Sequence, residues 1–139
     1  DRLGGNLISV LEVPHEAVSS YGVIAPGARD GDITEVTGLV EKPKVEDAPS
    51  NLIISGRYIL QPEVMRTLEN QEKGAGGEIQ LTDAMARMIG TQPFHAVTFA
   101  GKRYDCGSKA GYVQANIAIA LEREDIGAEI RAFALDLLK

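Results

Sequence analysis

The chain has 139 residues, 44% of them apolar, with a formal net charge of −6. That length fits one ordinary domain or part of a larger one, and the apolar share is enough to build a core. The negative charge argues against nucleic acid or an anionic membrane surface as partner. No apolar run approaches the ~18 residues of a membrane span. The single cysteine, Cys106, excludes an internal disulfide framework and fits a reducing cytoplasm.

Asp1 to Asn6 reads as the end of a helix with glycine at its C-terminal cap. With no initiator methionine, this suggests that a preceding part of a larger protein is missing. Leu7 to Val13 is a largely apolar run of strand length, of the kind buried on both faces in a parallel sheet. Tyr21 to Ala25 reads as a short strand ended by Pro26-Gly27, and Ala28 to Asp32 as a polar turn. Ile33 to Val40 is a further strand. It runs into Glu41-Lys42-Pro43, where a carboxylate and an ammonium stand side by side and a proline stops the strand.

Glu41 has two acceptor oxygens suited to vicinal hydroxyls, and Lys42 is a compact cation suited to a phosphate. As strand neighbours they would point to opposite faces and hold different parts of one ligand. By itself the tripeptide is most often a solvated strand end.

Pro43 to Asn51 reads as a loop, and Leu52 to Leu60 as a β-rich run. Pro62 opens a helix through about Glu72 with Val64, Met65 and Leu68 on one face. Gly74 to Gly77 is a flexible break without the Lys-Ser/Thr ending of a phosphate-binding loop. Thr82 is suited to cap a short helix to Gly90, with Asp83 at its positive end. His95 to Phe99 reads as a strand. Ser108 caps a helix to about Arg123, and Ile126, Ile130, Phe133 and Leu137 form an apolar stripe on a last helix. Strands and helices alternate, which indicates a mixed α/β fold.

Several segments together resemble the bacterial UTP–glucose-1-phosphate uridylyltransferases, or UDP-glucose pyrophosphorylases. They are Tyr21-Gly22-Val23, Val40-Glu41-Lys42-Pro43, Ala48 to Leu52 with Gly56-Arg57-Tyr58, Gly74 to Ala84, Arg103 to Gly107, and Lys109 with Gly111-Tyr112. They occur in family order and cover residues ~20 to 121. The Glu-Lys-Pro element is shared with related sugar-phosphate nucleotidylyltransferases, while Gly-Glu-Ile-Gln-Leu-Thr-Asp and Tyr-Asp-Cys-Gly are narrower. The Gly-rich nucleotide signature and the first metal-binding aspartate of the family are absent, so the resemblance covers only the C-terminal half.

The resemblance implies an α/β fold, part of a Rossmann-like nucleotidyltransferase mixed sheet flanked by helices. Residues 1–139 would be the sugar-phosphate-binding portion of one such domain. The implied activity of the parent enzyme is uridylyl transfer from UTP to glucose 1-phosphate, giving UDP-glucose and pyrophosphate. The implied partners are those substrates, with a homo-oligomer and a cytoplasmic location. Glu41 matches the glutamate that binds glucose hydroxyls, and Lys42 the lysine that holds the reacting phosphate. Gly22 matches a glycine whose backbone faces the sugar, and Asp105 the second aspartate holding Mg²⁺. Tyr58 lines the sugar pocket or packs in the core. Without the resemblance, Gly22 reads as a turn glycine and Asp105 as a helix cap.

Cys106 is expected to be buried packing. Arg103 and Lys109 read as solvated charges, Asp83 and Glu78 as supports for a helix start, and His15 and His95 lack partners at zinc-ligand spacing. Two alternatives stay open: a thymidylyl- or guanylyltransferase, and a non-catalytic sugar-phosphate-binding or oligomerisation fragment.

Overall fold

A computed structural model describes residues 3–139, the Ala75 side chain excepted. Asp1 and Arg2, where the helix-end reading begins, lie outside the described residues. The chain divides into two compact units, Asp1–Ala100 and Gly101–Lys139.

The first unit is built on five strands: β1 (Asn6–Glu12), β2 (Gly22–Asp30), β3 (Ile33–Glu41), β4 (Leu52–Ile59) and β5 (Phe94–Thr98). They form one mixed sheet in the order β1-β4-β2-β3-β5, closed by pairing of β1 with β5. That pair is parallel and the others are antiparallel. The expected mixed sheet is present, and its closure into a barrel is a feature the alternation of elements did not indicate.

The pleat sends successive side chains to opposite faces. On β2 and β4 this divides Val23 and Ile53 from Ile24 and Ile54, and the two pairs fall in separate core clusters. β1 behaves the same way: Ile8 and Val10 are fully buried, whereas Leu7, Ser9 and Leu11 are only half-buried. Within this chain, then, one face of β1 is buried and the other only half-covered. Its neighbours are β4 and β5 of this same chain.

β2 does not stop at Pro26. It continues to Asp30 through register slips on either side of Pro26, and the turn falls at Gly31-Asp32. A bulge is how an antiparallel strand accommodates a residue with no N–H to give. The Glu35 carboxylate steadies it by accepting a hydrogen bond from the Ala28 N–H at 3.3 Å.

The unit's two α-helices, α1 (Pro62–Glu69) and α2 (Leu81–Met88), both add buried residues to the larger core cluster. Pro62 opens α1 as expected, because its fixed φ suits the first turn. Val64 is fully buried, worth roughly 1.5–3 kcal/mol for such a side chain. Met65 is 52% exposed, so the apolar face is narrower than the spacing suggests. Asn6 is buried at the junction: its side-chain oxygen accepts from the Gln61 N–H at 2.8 Å, and its amide donates to the Gln92 side-chain oxygen at 2.9 Å. One residue thus joins the start of α1 to the approach to β5.

α2 departs from the expected cap. Gln80, not Thr82, is its N-terminal cap residue, and Thr82 is buried inside the first turn beside Ala84, Met85 and Met88.

The second unit holds α3 (Lys109–Glu122) and α4 (Gly127–Leu137). Ser108 caps α3 as expected, its Oγ accepting from the Gly111 N–H at 3.0 Å, a bond typically worth about 1 kcal/mol. Ile126 and Ile130 of the last stripe are half-buried, while Phe133 and Leu137 are exposed. Among the described residues no helix is long and apolar enough to cross a membrane.

Candidate functional site

Gly22 begins β2 and Glu41 ends β3, and the two are direct partners across the antiparallel pair. A Cβ built on Gly22 would stand 3.0 Å from a Glu41 carboxylate oxygen, 2.9 Å from Ile54 Cδ1 and 3.1 Å from Thr82 Oγ1. Those distances are closer than ordinary van der Waals contact. Only glycine leaves room for three side chains to converge there.

Lys42 follows directly. Its N–H donates to the Tyr21 carbonyl at 3.0 Å, which extends the β2–β3 ladder by one bond beyond the strand. Its φ of 47° is the one left-handed value at a non-glycine position among the described residues. An L-residue pays roughly 1–2 kcal/mol for that conformation. The strand has therefore ended before Lys42, and pleat alternation does not set the direction of its side chain. The expectation that Glu41 and Lys42 project to opposite faces of a strand is corrected accordingly. Lys42 is exposed and Pro43 behind it is buried.

Tyr58, on β4, is 36% exposed. Burial pushes its phenol above the usual value, and the negative Glu41 carboxylate pushes it further in the same direction. Gly22, Glu41 and Tyr58, far apart in sequence, thus belong to one neighbourhood with Lys42 at its edge. The sequence reading missed Thr82 and Ile54 as members of it. Thr82 carries two readings, helix cap and buried first-turn residue, and only packing against Gly22 separates them.

Asp105 lies in the second unit, ahead of α3. Its Oδ1 accepts from the Gly107 N–H at 3.0 Å, and its Oδ2 stands 3.7 Å from an Arg103 guanidinium nitrogen. Its carbonyl accepts from both the N–H and the hydroxyl of Ser108 at 3.2 Å. A Cβ on Gly111 would overlap that carbonyl, so the loop sits tightly on the first turn of α3. Arg103, read as a solvated charge, is an ion-pair partner of the aspartate.

Cys106 is exposed, not buried. It sits at the tip of the turn that the Asp105–Gly107 bond closes, where the side chain has no core to enter. Asp83 packs its carboxylate against Gly74 and supports the start of α2.

Mg²⁺ characteristically takes one or two carboxylates, with substrate phosphates and water completing its shell. Among the described residues no cluster of three or more acidic, His or Cys side chains is assembled. Asp105, a half-exposed carboxylate at a helix start, fits the part of a single protein ligand in such a shell.

The sequence matches the nucleotidyl transferase family over residues 2–122, so the chain belongs to that family. It is 55% identical over 109 residues to the UTP–glucose-1-phosphate uridylyltransferase of Komagataeibacter xylinus, covering 78% of this chain and 38% of that protein. It is 47% identical over 137 residues to the enzyme of the same name from Staphylococcus epidermidis, covering 99% of this chain and 48% of the relative. A solved UDP-glucose pyrophosphorylase complexed with UDP-glucose superposes with a TM-score of 0.81 at 42% identity, covering 86% of this chain and 45% of that one. The chain therefore spans about half the length of the relatives it matches, or less.

Proposed function

We propose that this chain forms the sugar-phosphate-binding portion of a cytoplasmic UTP–glucose-1-phosphate uridylyltransferase. In the intact enzyme it is joined to a nucleotide-binding portion, and the product is UDP-glucose. What supports the substrate reading is the likeness to uridylyltransferases over nearly the whole chain. The observation that carries the site is the convergence of the Glu41 carboxylate on the side-chain-free Gly22, with Lys42 one residue beyond.

In this reading Glu41 accepts hydrogen bonds from two neighbouring glucose hydroxyls, and the sugar approaches the Gly22 backbone closely. Tyr58 lines the same pocket. Lys42 places its ammonium at the phosphate of glucose 1-phosphate. A phosphate oxygen attacks the α-phosphorus of UTP in line, and pyrophosphate leaves. The attacking group is already anionic, so no general base is required. Rate enhancement then comes from positioning and from charge neutralisation by Lys42. Asp105, in the second unit, would be one carboxylate ligand of Mg²⁺, which when bound would supply further charge neutralisation. The exposed apolar residues of α4 serve contacts between subunits of a homo-oligomer.

The test is pyrophosphate release by the intact enzyme with glucose 1-phosphate and each of UTP, dTTP and GTP. A clear preference for UTP is expected. Preference for dTTP or GTP overturns the uridylyl assignment. The 139-residue chain alone is expected to release no pyrophosphate.

A further inference from the structure

The two carboxylate oxygens of Asp105 are held by different groups. Oδ1 accepts from the Gly107 N–H at 3.0 Å, and Oδ2 faces the Arg103 guanidinium at 3.7 Å. The backbone beneath is fixed as well, since the Asp105 carbonyl accepts from Ser108 at the start of α3. An ionised carboxylate offers about four acceptor directions, so these contacts orient the group and leave room for a cation. The Arg103 side chain is 28% exposed and that of Asp105 45%. A pair this open to water adds little to stability, so its effect falls on where the carboxylate points.

A metal-ligating carboxylate is commonly held by an outer partner, and removing that partner typically weakens metal binding roughly 10- to 100-fold. We infer that Arg103 is a positioning residue for Mg²⁺, acting through Asp105 by holding its carboxylate ready for the ion. The inference rests on the reading of Asp105 as a metal ligand in the intact enzyme. A guanidinium beside the site also repels a dication, so the sign of the change in affinity separates orientation from repulsion.

The experiment uses the intact enzyme as wild type, Arg103→Gln, Arg103→Lys, Asp105→Asn and the double variant Arg103→Gln with Asp105→Asn. Mn²⁺ stands in for Mg²⁺. Free Mn²⁺ is followed by electron paramagnetic resonance with UDP-glucose present, which gives a dissociation constant independent of turnover. Arg103→Gln is expected to raise that constant about 10-fold, with Arg103→Lys recovering most of the loss. Adding Arg103→Gln to Asp105→Asn should change nothing further, because the two residues act as one unit. At saturating Mg²⁺, KM for glucose 1-phosphate in Arg103→Gln should return to the wild-type value. If circular dichroism shows Arg103→Gln unfolded, Arg103→Met, which keeps the apolar stem, is read in its place.

An unchanged or lowered Mn²⁺ constant in Arg103→Gln overturns the inference. So does an additive effect in the double variant, or a KM for glucose 1-phosphate that stays raised at saturating Mg²⁺, since either gives Arg103 a role apart from Asp105. If Asp105→Asn binds Mn²⁺ as wild type does, the metal-ligand reading of Asp105 fails and the inference falls with it. A weakened Asp105→Asn beside an indifferent Arg103→Gln removes the inference alone.

Discussion

The Glu41 carboxylate reaches into the space that a side chain on its cross-strand partner Gly22 would fill, 3.0 Å from the absent Cβ. Gly22→Ala should therefore disturb the site directly. All three atoms facing the new methyl group are side-chain ends, so they move by tenths of an ångström rather than blocking it. Overpacking of this kind costs about 1–3 kcal/mol. Thermal melts should show that loss, and KM for glucose 1-phosphate should rise because Glu41 is displaced. A stable variant with unchanged KM would mean that the ligand does not approach Gly22.

Lys42 separates stability from function. Lys42→Ala in the intact enzyme should lower turnover about 100-fold or more, and Lys42→Arg should not restore it, since one preorganised charge is lost or misplaced. Lys42→Gly removes the strain of the left-handed backbone at φ 47° while freeing the unfolded chain. It should melt no lower than Lys42→Ala and be equally inactive. Near-wild-type turnover of Lys42→Ala would take Lys42 out of the reaction.

Glu41→Gln should raise KM for glucose 1-phosphate and leave KM for UTP nearly constant, because the charge-assisted bonds to hydroxyls are lost. It also has an optical signature. Glu41 is the second cause, after burial, of the raised Tyr58 phenol. The variant's Tyr58 should titrate lower than in wild type but still above the ordinary 10.0. The sign for stability follows. A phenol raised in the folded state keeps its stabilising contribution at any pH below 10.0, and loses it as pH climbs through the higher folded value. The alkaline fall in stability should thus be shallower in Glu41→Gln. An unchanged phenolate titration near 295 nm would separate the two residues.

Asp105→Asn keeps an oxygen to accept from Gly107 but gives up the charge facing Arg103. Helix content should therefore be preserved, while the Mg²⁺ concentration for half-maximal activity rises. An unmoved magnesium midpoint with full activity would leave Asp105 as a turn residue only.

The 139-residue chain by itself should associate in solution. Ile117, Ile119, Phe133, Leu135, Leu137 and Leu138 of the second unit are all exposed, more apolar surface than isolated positions explain. Light scattering checks this, and a monodisperse monomer would overturn it.

Most elements could be read from local signals, because local physics sets them. Pro62 at a helix start, Ser108 as a cap and the β-branched run of β4 each declare themselves within a few residues. Three features could not be read that way. Pro26 interrupts a strand pattern, yet pairing with β3 carries β2 through it as a bulge. Thr82 has the chemistry of a cap, yet its burial is decided by β2, sixty residues earlier. Cys106 is a residue type usually buried, but the turn around it is set by Asp105 and Gly107. At the site, Glu41, Lys42 and Gly22 carried recognisable chemistry. Their convergence with Tyr58 and Thr82 exists only once the sheet has formed.

Closure of the barrel has a consequence for how the chain acquires its shape. Asn6 to Val10 lie in register with Phe94 to Thr98, so β1 takes as partner a strand far along the chain. Such distant pairing carries a large loop-closure entropy before any contact rewards it, and folding slows accordingly. During synthesis the β2–β3 hairpin, closed by a short turn, has every partner it needs long before β5 emerges. Until β5 emerges, the edge of β1 that pairs with it is open to wrong strand partners.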